Sequence, residues 1–243
     1  MSAPNVHTKI FQSTAELNKA AAEFIITLAK KAIAENGRCV IALSGGKTPE
    51  TLYALLAEPD YSQQMDWKNI YIFWGDERYV PLDDEQNNAH QAISVFLSKV
   101  DIPPDNIHRI PVNLYAAEAA SVYENEINHF FNGDVPVFDL ILLGVGTNGH
   151  TASLFPDTHV LLEQTPGVKA VYVEDQKSYR ITMTAPLINL ARHVLFLVTG
   201  NEKAEIVKNI FATENNYPAQ LINPANGKLH WFIDEAAASD LKK

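Results

Sequence analysis

The chain has 243 residues, 47% hydrophobic and 20% charged, a balance that supplies a sizeable core and argues against wholesale disorder. Its 29 acidic residues against 19 basic ones give a net charge of −10. That argues against a general nucleic-acid or anionic-membrane binder, since both reward a basic face, and leaves a small anionic substrate only if cations cluster locally. The opening "MSAPNVHTKI" lacks an apolar core of signal-peptide length, and no apolar run approaches the ~18 residues of a membrane span. Cys39 has no second cysteine to pair with, so a reducing cytoplasm is the expected compartment and a core position its expected role.

In chain order, a helix is predicted from about Thr14 to Asn36. Ser13 and Glu16 have capping-box spacing at its start, and Gly37 suits its stop. "RCVIALSGG" reads as a buried strand running into a glycine turn, and "PETLYALLA" as a helix with Pro49 at its first position and Thr48 as its cap. "IYIFWGDE" is a strand, "EQNNAHQAISVFLSKV" a helix, "NIHRIPV" a short strand, "AAEAASVYENEINHFFN" a helix and "FDLILLGVG" a strand. After "HTASLF" come strands "KAVYVED", "YRITMTA" and "HVLFLVTG", the helix "NEKAEIVKNIFA" and the strand "LHWFI". Short, near-continuous apolar strands alternating with amphipathic helices predict an α/β fold. It is a three-layer αβα arrangement around a mostly parallel, Rossmann-like sheet. No Pro/Gly/Ser-rich linker divides the chain, so residues 1–243 are read as a single domain.

In such folds ligands bind outside the carboxyl ends of the strands, which directs attention to four loops. In "SGGKTPE", Gly46-Lys47-Thr48 matches the tail of a phosphate-binding P-loop, but Ile41 stands where its first glycine belongs. Ser44, Gly45, Gly46 and Thr48 remain either an anion cradle at a helix start or a plain tight turn. In "GDERYVPLDDEQNNAH", Arg78 can bind a phosphate or carboxylate, or stabilise an oxyanion, with Asp76 to orient it; the alternative is a solvated loop tip. Asn87 and Asn88 either cap the next helix or reach a sugar hydroxyl. "GVGTNG" fits the dinucleotide fingerprint G-x-G-x-x-G, yet Pro156 follows Gly149 by seven residues and leaves room for a helix of only about two turns starting at His150. His150, beside Asn148 and Thr151, is a candidate general base, with an ordinary structural histidine as the alternative. No second histidine at ligand spacing and no H-E-x-x-H accompanies it, so no metal is expected. Lys203, in a helix's first turn, opposes the macrodipole and fits better beside an anion, and Arg180 is a second isolated cation.

Together "ALSGGKTPETLYALL", "FWGDERYVPLDDEQNN", "LILLGVGTNGHTASLFPDT" and "RITMTAPLINLARHVLFLVTGNEKAEIV", with "GKLHWFIDEAAAS", resemble the 6-phosphogluconolactonase family, related in fold to glucosamine-6-phosphate deaminase. The resemblance runs from the first helix to the last. It implies hydrolysis of 6-phospho-D-glucono-1,5-lactone to 6-phosphogluconate in the pentose phosphate pathway, without cofactor or metal. It also implies His150 as general base, Ser44, Gly45, Gly46 and Thr48 on the phosphate side, and Arg180 and Lys203 as charge partners. Arg78 would face the sugar acid or its phosphate, and Asn88 and Gly149 would complete the binding set. The expected partner is a small-molecule substrate alone, with monomer and homodimer both open. The chain departs from the family at Asn148, where aspartate is common, so an Asp–His dyad is replaced by an uncharged acceptor. Two other readings are a deaminase/isomerase of amino-sugar phosphates and a non-catalytic sugar-phosphate-binding regulator. The deaminase pattern typically carries tyrosine after the second loop's acids, where this chain has Arg78. A regulator would have no use for His150.

Overall fold

The computed structural model describes residues 5–212 and 217–241. In chain order its elements are β1 (Val6–Phe11), α1 (Thr14–Asn36), β2 (Cys39–Leu43), α2 (Lys47–Leu56), α3 (Pro59–Ser62), β3 (Ile70–Trp74), β4 (Asp76–Arg78) and α4 (Asn88–Val95). They continue with α5 (Ala116–Phe130), β5 (Leu140–Leu143), β6 (Val168–Val173), β7 (Ser178–Met183), α6 (Ala185–Ile188), β8 (His193–Val198), α7 (Ala204–Phe211) and β9 (Lys228–Asp234). Six strands form one sheet in the order β1-β9-β8-β5-β2-β3, every pairing parallel. Helices flank it, giving the three-layer α/β architecture that the alternation of elements predicts.

The local signals act as their chemistry requires. Ser13 Oγ accepts the Glu16 amide at 3.2 Å, Glu16 returns an oxygen to the Gln12 amide, and Gly37 ends α1 in the left-handed region at φ 76°. Along α1, Leu17, Ala21, Ile25 and Leu28, with Ala22, Ile26 and Ala29, make the buried stripe. All five residues of β2 and all four of β5 are buried, as strands covered on both faces must be. Cys39 is fully buried, and burial pushes its thiol pKa far up, which makes it a core residue.

Five local expectations change. β1 is an unpredicted strand: "VHTKIF" is exposed along most of its length and pairs only with β9, so it carries no buried apolar run to betray it. "NIHRIPV" forms no strand; Ile107 makes a single bridge to Ile72, and Pro111 has no amide to extend a ladder. "GDER" is not a loop tip. The chain leaves the parallel sheet at Gly75, and Asp76–Arg78 enter a second, antiparallel sheet of order β4-β7-β6. The helix after β2 starts at Lys47, so its cap position is Gly46 and not Thr48. No helix starts at His150, because Gly149, Ala152 and Asp157 take positive φ and Thr151 bridges Leu154 instead.

Candidate active site

The central strands β8, β5, β2 and β3 are neighbours, so the loops at their carboxyl ends converge. From β2 the chain goes to β3 on one side and later to β5 on the other. This reversal of direction opens a crevice between the loops after β2 and β5. A cavity of about 340 Å³ lies there. The loop after β2 gives it Ser44, Gly45 and Gly46, and the loop after β5 gives it Gly144, Val145, Gly146 and His150. β4 and α4 add Asp76, Arg78 and Asn88, β7 adds Arg180, and the 3-10 turn Asn201–Lys203 ahead of α7 adds Lys203. Thr48, Asn148 and Gly149 lie outside this lining. Thr48 Oγ1 is 2.6 Å from Thr199 Oγ1 and ties α2 to the end of β8, while Gly149 packs beneath the Tyr217 ring.

His150 is fixed from three sides. Its Nδ1 is 2.6 Å from Asn148 Oδ1, which also accepts the His150 backbone amide at 3.2 Å. An amide oxygen only accepts, so Nδ1 carries the proton and Nε2 keeps its lone pair. The ring stacks on Phe155 at 4.0 Å between centroids. It also lies directly on the backbone of Gly146, where any Cβ would collide with the imidazole. Burial first, then the charges of Lys203, Arg180 and Arg78, pull the His150 pKa down to about 4. The imidazole is therefore neutral across the physiological range.

The cations are crowded. Arg78 and Arg180 stand directly opposite in the β4–β7 ladder, on one face of the second sheet. Burial and then Arg78 lower the Arg180 pKa, with Asp76 and Glu77 opposing. Arg78 Nη1 donates to the Gln86 carbonyl at 2.8 Å, and Arg180 donates to Gln176, leaving the buried Arg180 Nε without a protein partner. Asp76 does not orient Arg78, as the sequence suggested: its carboxylate accepts from Ser153 Oγ at 2.6 Å, because alternate positions of a short strand sit side by side and not facing each other. Asn87 takes the capping role, accepting the His90 amide at 2.8 Å, which frees Asn88 to enter the cavity. Asn88 Nδ2 donates to the Asp76 carbonyl, and its buried Oδ1, pressed against Gly45, has no protein donor. Ser44 Oγ is also buried and unpartnered. Sequence reasoning gave no role to Ser153 and Phe155, although both lie in the quoted "HTASLF", nor to Gln176 or Glu77. Among the described residues no three His, Cys, Asp or Glu side chains converge to hold a metal ion, and no helix is long and apolar enough to cross a membrane.

This arrangement can bind a polyhydroxylated anion and take a proton from a molecule beside it. A sequence model for the family described as glucosamine-6-phosphate isomerases/6-phosphogluconolactonase matches residues 12–231. The 6-phosphogluconolactonase of Synechocystis sp. is 46% identical over 226 residues, covering 90% of this chain and 91% of its own. That of Haemophilus influenzae is 40% identical over 201 residues, 81% of this chain and 85% of its own. The solved structure of the 6-phosphogluconolactonase from Trypanosoma cruzi superposes with a TM-score of 0.86 at 29% identity, covering 99% of this chain and 98% of that one.

Proposed function

The chain belongs to the family of glucosamine-6-phosphate isomerases and 6-phosphogluconolactonases, and from that premise we propose that it hydrolyses 6-phospho-D-glucono-1,5-lactone to 6-phospho-D-gluconate with His150 as general base. The observation that carries the reading is a neutral imidazole whose Nε2 is free, held in a cavity lined by three cations, Arg78, Arg180 and Lys203. The neutral base suits water activation, and the cations suit a phosphorylated sugar acid inside a protein of net charge −10.

In the proposed mechanism, His150 Nε2 takes a proton from water as the water oxygen bonds to lactone C1. The carbonyl π electrons move to oxygen, and that tetrahedral oxyanion is stabilised by the Arg78 guanidinium or by backbone N–H groups of the glycine loops. As the oxyanion collapses, the C1–ring oxygen bond breaks and the imidazolium returns its proton to the departing ring oxygen, now the sugar's hydroxyl. Asn148 stabilises the productive tautomer throughout by accepting from Nδ1, without supplying charge. Arg180, Lys203 and the unpartnered Ser44 hydroxyl form the phosphate side, and Asn88 Oδ1 and Asp76 read sugar hydroxyls. The whole chain acts as one lactonase domain, a reading supported by a continuous buried core that includes β6 and β7 of the second sheet as well as the six-stranded one. The chemistry needs no partner beyond the substrate, and the lone, buried Cys39 supports a reducing compartment, the cytoplasm, for it.

The deciding assay is lactone hydrolysis coupled to product detection at low temperature, run beside ammonia release from glucosamine 6-phosphate. The expected result is hydrolysis well above the spontaneous rate and no ammonia. Ammonia release without lactone hydrolysis would assign the deaminase chemistry instead, and neither activity would leave a binding protein.

A further inference from the structure

Glu77 is 1% exposed and sits in β4 between Asp76 and Arg78, with its side chain on the face away from the cavity that those two line. A carboxylate this deeply buried is costly unless its oxygens are satisfied, so its partners show what it is for. Oε1 accepts the Arg78 amide at 2.8 Å and the Asn88 amide at 2.7 Å, and Oε2 accepts the Ala89 amide at 2.9 Å. The segment from Tyr79 to Asn87 leaves β4 and returns at the start of α4, and one carboxylate grips both of its ends. Two further bonds tie the same base: Asn88 Nδ2 to the Asp76 carbonyl and Arg78 Nη1 to the Gln86 carbonyl. Every side chain that this segment's ends present to the cavity, Asp76, Arg78 and Asn88, is thereby indexed to Glu77. The helix start adds its positive end to the same carboxylate.

We infer that Glu77 is a positioning residue for the proposed hydrolysis: it clamps the loop between β4 and α4 so that Arg78 and Asn88 meet the substrate in one fixed geometry. It never touches the substrate, and the inference rests on the functional reading above. Glu77→Gln keeps the shape and one acceptor oxygen but turns an NH₂ donor toward a backbone N–H, so at least one of the three bonds is lost.

The test is a double-mutant cycle on the whole chain, with lactone hydrolysis, 6-phosphogluconate affinity and thermal melting measured for wild type, Glu77→Gln, Arg78→Ala and the double variant. The expected result is a kcat/KM loss of about tenfold or more for Glu77→Gln, the size of one lost hydrogen bond to a buried charge. A smaller further loss is expected when it is added to Arg78→Ala, because the part of its effect that passes through Arg78 is already gone and only the part through Asn88 is left. Rates that multiply across the cycle, or a Glu77→Gln enzyme within about twofold of wild type, would overturn the inference. If Glu77→Gln does not fold, the wild-type amide resonances of Arg78, Asn88 and Ala89 carry the same question. The groups acting on Glu77 are Asp76 of β4, the Arg78, Asn88 and Ala89 amides, Arg180 of β7 and Tyr123 of α5. The three resonances should titrate with one midpoint, shared by an inflection in KM; unrelated midpoints would overturn the inference. Absence of lactone hydrolysis in the wild type would instead overturn the functional reading, so the two failures are told apart.

Discussion

A proton on His150 meets no bonded carboxylate; its neighbours are an amide oxygen, a phenyl ring and three cations. Two residue-scale predictions follow from that setting. His150→Ala should still bind 6-phosphogluconate but lose about 10²–10⁴-fold in kcat, the usual worth of a general base. Turnover near wild type, after subtracting spontaneous hydrolysis, would remove His150 from the mechanism. Asn148→Asp should place a negative charge 2.6 Å from Nδ1 and stabilise the imidazolium. The acidic limb of kcat/KM, set by a His150 pKa of about 4 in the wild type, should then move to higher pH. The expected movement is roughly one to three pH units. A limb that stays in place would show that Asn148 does not control the base. The identity of the residues in this site was legible in "GDER" and "GHTASLFP", but their pairings were not. Asp76 next to Arg78 reads as an ion pair in one dimension, whereas in the strand the carboxylate bonds Ser153, 77 positions away.

Among the elements, the β4–β7 ladder is the one whose logic depends on a ligand. Like charges directly opposite in an antiparallel pair repel, and Arg78 faces Arg180 there. An anion between them removes that repulsion and satisfies the orphaned Arg180 Nε. Product at about a hundred times its Kd should add about 2.7 kcal/mol and raise Tm by roughly 5–10 °C for a chain of this size. In an Arg180→Met variant the unliganded protein should melt no lower than wild type, and the product-induced shift should shrink. A scanning-fluorimetry series in which both proteins gain equally from product would contradict this account. The longer helices and the parallel strands other than the exposed β1 were readable because their caps and apolar runs are local, as at Ser13 and in "VIAL". The second sheet was not, because nothing local distinguishes a charged loop tip from a three-residue strand whose partners arrive a hundred residues later.

Over the whole molecule, stability should fall in mild acid. His150, His193 and His230 are each held down to about 4, against an ordinary 6.5. Burial leads in all three, and His193 Nδ1 lies 3.0 Å from His230 Nε2 among Lys and Arg side chains with no acid opposing. Between those values the unfolded chain binds more protons than the folded one, so stability rises with pH across the window and is lost as pH falls toward 4. Glu77, raised to about 7, and Asp139, also raised, act in the opposite sense above their ordinary values, but three histidines outnumber two carboxyls. Tm should therefore increase from pH 4.5 to 6.5, and replacing His193 and His230 together with Gln should flatten the rise; a level wild-type profile would contradict the account. By itself the sequence determined the α/β class, most of the parallel sheet, the ends of α1 and the set of loops that line the candidate site, because periodicity, capping and strand-end placement act within a few residues. Only the tertiary structure decided that β1 completes the sheet, that β4 belongs to a second one and that Asn148 fixes the tautomer of His150. It alone showed that Glu77 holds Arg78 and Asn88 together, because each of these depends on which distant backbone a side chain meets once the strands are in register.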